Sequence, residues 1–97
     1  MAVSDKIQLK HPAGKNAPKI SVKTYELFKT AITQILTQTP LITYSDLADK
    51  VSEYIRDNRS DFFGSVEWFT VTVKQHLESE GIIETIIENG RKMHKLV

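Results

Sequence analysis

The sequence predicts an α+β fold with three helices, a C-terminal β-hairpin and a short N-terminal strand. Apolar residues recur at helical spacing in three segments, and a serine or threonine that can cap a helix precedes each segment. Near the C-terminus, an Asn-Gly pair joins two apolar-rich runs, which is typical of a tight hairpin. A chain of 97 residues with 40% apolar content supports one hydrophobic core, so we expect a single domain over residues 1–97.

Residues 1–20 are predicted to form a short strand followed by a basic arm. The residues from Lys6 to Leu9 alternate weakly between polar and apolar, which favours a strand, and two prolines and a glycine then interrupt regular structure. The arm could follow a phosphate backbone, or its lysines could simply be solvated and discourage aggregation. Over residues 1–23 the lysines are Lys6, Lys10, Lys15, Lys19 and Lys23, against the single acid Asp5.

The first helix is expected over residues 21–37. Ser21 can act as its N-cap, and Pro40 prevents the helix from continuing towards the next element. Its apolar stripe, spaced by three and four residues, consists of Tyr25, Phe28, Ala31, Ile32, Ile35 and Leu36.

The second helix, expected over residues 44–56, has the clearest start signal in the chain. Thr43 and Asp46 form the acidic variant of a capping box, and Ile42 and Leu47 occupy the positions of a hydrophobic staple. The turn-forming sequence RDNRSDFFG then ends the helix.

The third helix is expected over residues 66–80, with Ser65 as its N-cap and Gly81 in the left-handed position after its last turn. Trp68 lies at the border of the predicted core face. At about 100° per residue, that core face holds Val66, Phe69, Val73 and Leu77. The opposite face holds Glu67, Val71, Lys74 and Glu78.

Residues 82–97 are expected to form a β-hairpin. Asn89 and Gly90 suit a two-residue type I′ turn, because both accept a positive φ. The turn fixes the register, and the predicted cross-strand pairs are Glu88 with Arg91, Ile86 with Met93, Glu84 with Lys95, and Ile83 with Leu96. Because a two-stranded ribbon is only marginally stable alone, we expect a third strand, either from the N-terminal strand or from the residues just before the second helix.

The order of strand, three helices and hairpin is typical of a winged helix-turn-helix domain. The segments TYELFKTAI, TYSDLADKV and VEWFTVTVKQHLESEGIIE, closed by the Asn-Gly hairpin, resemble an uncharacterised family of small winged-helix proteins found mostly in bacteria. The resemblance extends from about Ile7 to Val97. It implies the winged-helix fold and carries no demonstrated activity.

In winged helices the third helix enters the major groove of DNA, and the hairpin, called the wing, touches the backbone. On this basis we expect a DNA-binding protein, a small transcriptional regulator that acts as a homodimer because one module makes few contacts. Polar side chains of the third helix would bind phosphates or base edges, and basic side chains at the wing tip would neutralise phosphates. The predicted DNA-binding residues are Ser65, Thr70, Lys74, Gln75, Arg91 and Lys92.

The alternative is a winged-helix module without DNA affinity that binds another protein. The net charge is only +1, and Glu67, Glu78 and Glu80 in the third helix oppose a phosphate backbone. The partner would bind near Trp68 and the Phe62-Phe63 pair, or on the acidic second helix. The two adjacent phenylalanines are, however, expected to plug the core from the loop before the third helix.

The sequence favours neither an enzyme nor a cofactor-binding protein. It contains no cysteine and no glycine-rich phosphate loop, and His11, His76 and His94 lack the spacing of metal ligands. We expect His76 to lie at the border of the core rather than to bind a metal. No run of residues is long and apolar enough for a membrane span or a signal peptide, so we expect a cytoplasmic protein without a membrane partner.

Overall fold

The computed structural model describes residues 5–97 as an α+β arrangement of three helices and two small antiparallel sheets. Residues 1–4 of the predicted arm lie outside the described residues. In chain order the elements are β1 (Lys6–Gln8), β2 (Lys19–Ser21), α1 (Val22–Gln38), β3 (Ile42–Thr43), α2 (Tyr44–Asn58), α3 (Val66–Ser79), β4 (Ile83–Glu88) and β5 (Arg91–Leu96).

Each helix begins where its predicted cap lies. The hydroxyl oxygens of Ser21, Thr43 and Ser65 accept hydrogen bonds from the backbone N–H three residues later, at 3.1, 3.2 and 3.1 Å respectively. These contacts satisfy donors that the first turn of a helix leaves free. Gly81 follows α3 with a φ of +76°, which is the left-handed conformation predicted for it.

The C-terminal hairpin has the register that the sequence predicts. Glu88 pairs with Arg91, Ile86 with Met93, Glu84 with Lys95 and Ile83 with Leu96. Asn89 and Gly90 both have positive φ, at 52° and 77°, as a type I′ turn requires. The third strand is β3, which lies just before α2 and pairs with β5, so the sheet order is β3-β5-β4.

The N-terminal region is more ordered than the predicted arm. β1 pairs with β2, which places Ile7 opposite Ile20, and both Leu9 and Ile20 are buried in the core. The expectation of an irregular arm is therefore wrong for Lys19–Ser21. The reason is physical: this strand is stabilised by a partner ten or more residues away and by the core beneath it, and local sequence rules do not report such contacts.

The three helices enclose one cluster of buried apolar side chains, centred on Phe28. The Phe62 ring packs edge-on against Phe28 and Phe69, with centroid distances of 5.4 and 5.6 Å, so it plugs the core as predicted. Phe63 is 97% exposed, and the same prediction is wrong for it. The largest of the fully buried apolar side chains are Phe28, Leu9, Ile32, Leu36, Leu47, Leu77, Ile83, Val51 and Val73.

Candidate functional site

Helix α3 exposes a narrower face than its sequence predicts. Thr70 is fully buried and Lys74 is only 8% exposed, so the expectation that both face outward is wrong. Thr70 lies about 40° around the helix from Val66, just beyond the edge of the predicted core arc, and its hydroxyl donates to the Val66 carbonyl oxygen at 2.7 Å. Lys74 is covered because β4, β5 and the start of α2 pack over its side of the helix.

Lys74 forms a largely buried ion pair with Glu78, one turn further along α3. Its Nζ lies 3.0 Å from Glu78 Oε1, and the two side chains are only 11% and 15% exposed. The same ammonium group lies 5.8 Å from the centre of the Tyr44 ring, within cation–π range. The charge of Lys74 is thus balanced inside the protein, and the predicted contact with a phosphate would require this ion pair to open.

Glu78 also forms a polar contact with the C-terminal hairpin. Its second carboxylate oxygen accepts a hydrogen bond from the Thr85 hydroxyl, which lies 2.9 Å from His94 Nδ1. Because the Thr85 proton is directed to the carboxylate, His94 must donate its Nδ1–H to the Thr85 oxygen. Burial lowers the pKa of His94, and the nearby positive charge of Lys74 lowers it further. The neutral ring therefore joins β5 to β4, and the hydrogen bond from Thr85 to Glu78 joins the hairpin to α3.

His76 connects α3 to the N-terminal hairpin formed by β1 and β2. Its Nδ1 accepts the backbone N–H of Lys10 at 3.0 Å, and its ring packs edge-on against Tyr25 at 5.3 Å. Burial lowers the pKa of His76, which favours the neutral ring that this hydrogen bond needs. Lys10 Nζ also contacts Glu80 Oε2 at 3.1 Å. His76 is more deeply buried than the predicted border position, and its contacts are structural.

The hairpin sequence contains a signal for the His94 contact. The predicted hairpin register pairs Ile86 with Met93 and Glu84 with Lys95, so it also places Thr85 opposite His94, as observed. A threonine opposite a histidine on the sheet face that covers α3 indicates a polar contact. The partner Glu78 could not be identified in this way, because the angle between a helix and a sheet is a tertiary property.

The exposed part of α3 forms a shallow groove with its neighbours, which we call the α3 surface. The groove has a volume of about 390 Å³ and is lined by Tyr44, Ser65, Glu67, Trp68 and Val71. Trp68 is 46% exposed, and none of these lining residues is basic. A second groove of about 270 Å³ on the other side of Tyr44 shares Glu67 and adds Asp49 of α2. Phe63 lies in the loop that leads into α3.

The remaining predicted DNA-binding residues are not collected on α3. Ser65 is exposed at the helix start, where its hydroxyl caps the helix, and Gln75 is half-buried. Arg91 and Lys92 are exposed next to the hairpin turn, where they face Glu88 and Ile87 on the opposite strand. The five lysines of the N-terminal region are all exposed as well. Both hairpins therefore carry exposed positive charge, whereas the α3 surface carries Glu67.

Among residues 5–97, no group of three or more histidine, aspartate or glutamate side chains is placed to hold a metal ion. None of the helices described has the length and apolar character that crossing a membrane requires.

Comparison with known sequences gives a family match and no characterised relative. The model of a family of unknown function (DUF6958) matches residues 6–93. No curated protein and no solved structure matches the chain significantly. The predicted similarity to an uncharacterised family is confirmed, and the comparisons do not bear on the winged-helix relationship or the bacterial source.

Proposed function

We propose that this chain, which belongs to the family of unknown function DUF6958, is a winged-helix domain that binds another protein through the α3 surface. The element order supports the winged-helix assignment: β3 lies between α1 and α2 and pairs with the C-terminal hairpin that follows α3. The observation that carries the proposal is the exposed Trp68 beside Glu67 and Val71, on a helix whose one lysine is paired internally.

The composition of the α3 surface fits a protein partner better than DNA. A helix that enters a DNA groove needs hydrogen-bond donors and positive charge, whereas this face presents an indole, a valine and a carboxylate. Tryptophan is enriched among residues that dominate protein–protein binding, because it buries a large apolar area while its N–H keeps a polar contact. Trp68 is the strongest candidate for such an anchor.

The charges around the α3 surface indicate the kind of segment it would bind. Glu67 lines both grooves beside Tyr44, and Asp49 lines the second groove. A complementary segment would place an apolar or aromatic side chain against Trp68 and a lysine or arginine near the two carboxylates. We therefore expect the partner to be a protein segment that is both apolar and basic.

The test begins with affinity capture by the wild-type chain, followed by titration of the purified partner. We expect Trp68→Ala to weaken binding at least about tenfold, as removal of a central aromatic anchor usually does, and Glu67→Lys to weaken it through charge reversal. Lys92→Ala, on the hairpin, is the matched control and should bind like wild type. Because Trp68 is the one tryptophan in the chain, its fluorescence should also shift to shorter wavelength on binding. Equal affinity of the wild type and Trp68→Ala would exclude this surface.

Nucleic-acid binding through the hairpins is a second candidate. The observation that favours it is the exposure of Arg91 and Lys92 beside the turn, together with the exposed lysines of the N-terminal hairpin. NMR titration with mixed-sequence duplex DNA would show salt-sensitive shifts at these positions. The logarithm of the binding constant falls linearly with the logarithm of the salt concentration, and Arg91→Ala and Lys92→Ala should each reduce the steepness of this line by about one. The buried Lys74 should contribute nothing to it. Absence of shifts at low salt would exclude this candidate.

A further inference from the structure

Strand β4 is an open edge of the C-terminal sheet. In the sheet order β3-β5-β4, it pairs with β5 on one side, and no other strand among residues 5–97 pairs with its second side. Its sequence, IETIIE, is six residues long and contains neither the lysine nor the proline that commonly protect exposed edges. Ile87 on this strand is 66% exposed. The edge therefore has both free backbone groups and apolar surface to offer.

The register of the hairpin identifies which backbone groups are free. The N–H of Val97 donates to the carbonyl oxygen of Ile82 at 3.0 Å, so Ile82 directs its backbone polar groups towards β5. Backbone direction alternates along a strand, so Glu84, Ile86 and Glu88 also face β5. The N–H and C=O groups of Ile83, Thr85 and Ile87 consequently point away from the sheet, along the open edge.

We propose that this edge pairs with the same edge of a second copy of the chain, and that the resulting homodimer has a continuous sheet across β4 of both copies. The pairing is antiparallel, with the two-fold axis at Thr85. Thr85 of one copy then exchanges backbone hydrogen bonds with Thr85 of the other, and Ile83 does so with Ile87 of the other. In this register every outward-facing backbone group of these residues finds a partner.

Side-chain chemistry selects this register over its neighbour. With the axis at Thr85, exposed Ile87 lies opposite Ile83 of the second copy, whose own side chain is buried in the core, and Glu84 lies opposite Ile86 of that copy. Moving the axis by one residue, to Ile86, would place Glu84 directly opposite Glu88 of the second copy, and like charges in that position are unfavourable. The charges of the strand therefore favour the register centred on Thr85 over the one centred on Ile86.

Analytical ultracentrifugation over a wide concentration range tests the dimer. We expect the wild type to form a concentration-dependent dimer and Ile87→Lys to remain monomeric with an unchanged circular dichroism spectrum, because a lysine on the edge opposes pairing. Phe63→Lys is the matched control, since it makes the same exchange of an exposed apolar side chain away from the edge. A monomeric wild type, or equal dissociation of the dimer by Phe63→Lys, would overturn the proposal.

Cysteine pairs test the register independently of any substitution that weakens the dimer. The chain has no natural cysteine, so introduced thiols report only their own contacts. The double variant Glu84→Cys with Ile86→Cys should form a disulfide-linked dimer on mild oxidation, because these positions lie opposite each other as a closely spaced, non-hydrogen-bonded pair. The matched variant Glu84→Cys with Glu88→Cys should link poorly, and preferential linking of this second variant would contradict the register.

Discussion

Replacement of Lys74 by alanine should destabilise the fold, although sequence periodicity places this lysine on an exposed helix face. Its ammonium group is 3.0 Å from Glu78, and both side chains are at least 85% removed from solvent. In Lys74→Ala, the Glu78 carboxylate would keep its contact with Thr85 but lose its balancing charge. An ionised carboxylate in so poorly solvated a place is costly, because water reaches little of it.

The expected magnitude follows from this geometry. Removing one partner of a fully buried ion pair costs about 3–5 kcal/mol of unfolding free energy. Because Glu78 keeps 15% of its side-chain exposure and the Thr85 hydrogen bond, we expect the lower end of that range, about 3 kcal/mol. This loss is a large fraction of the roughly 5–15 kcal/mol that holds a typical small domain folded.

The assay is urea unfolding at neutral pH, followed by circular dichroism and by the fluorescence of Trp68. Lys92→Ala, which removes an exposed lysine, is the matched control and should change the unfolding free energy by less than about 0.5 kcal/mol. The double change Lys74→Met with Glu78→Gln should recover most of the loss, because it removes both charges together. If the unfolding free energy of Lys74→Ala lies within about 0.5 kcal/mol of the wild-type value, the ion pair does not stabilise the fold as its burial indicates.

Two other predictions concern the contacts of the hairpins. Burial lowers the pKa of His76 and His94, so below about pH 6.5 the unfolded chain binds more protons than the folded chain. The unfolding free energy should therefore decrease as the pH is lowered, by at most about 1.4 kcal/mol per pH unit for each histidine. Urea titrations at several pH values should show a smaller slope for His94→Gln, and an unchanged slope would contradict the assignment. Leu9→Ala should lower the unfolding free energy by about 2–5 kcal/mol if the N-terminal hairpin completes the core, whereas Lys15→Ala, at an exposed position, should leave it almost unchanged. Equal, small effects of the two changes would show that the hairpin adds no core packing.

The features that could be predicted from the sequence are those determined by neighbouring residues. The N-caps at Ser21, Thr43 and Ser65 need only a hydroxyl and a backbone N–H three residues later. The register of the C-terminal hairpin depends on the Asn89-Gly90 turn and on side chains directly across from one another. In both cases the interacting groups are brought together by local geometry, so a sequence pattern is sufficient to identify them.

The features that were missed depend on packing between distant segments. The strand Lys19–Ser21 forms because β1 and the core lie beside it. Lys74 is buried because a hairpin that follows later in the chain covers α3, whereas helical periodicity considers the helix by itself. Phe62 and Phe63 are adjacent and identical in type, yet Phe62 packs against Phe28 while Phe63 is 97% exposed, so the path of the loop and not the residue type decides which ring is covered.

Burial of Lys74 also separates the two functional hypotheses in space. With that charge neutralised by Glu78, the electrostatic character of the α3 surface depends on Glu67, while exposed positive charge lies on the hairpins. A protein partner would therefore use α3, and a nucleic acid would use Arg91, Lys92 and the N-terminal lysines. Glu67→Lys should weaken the first kind of binding, and it should strengthen the second only if DNA approaches α3 as well. One charge reversal thus distinguishes a helix that contacts DNA from one that contacts protein.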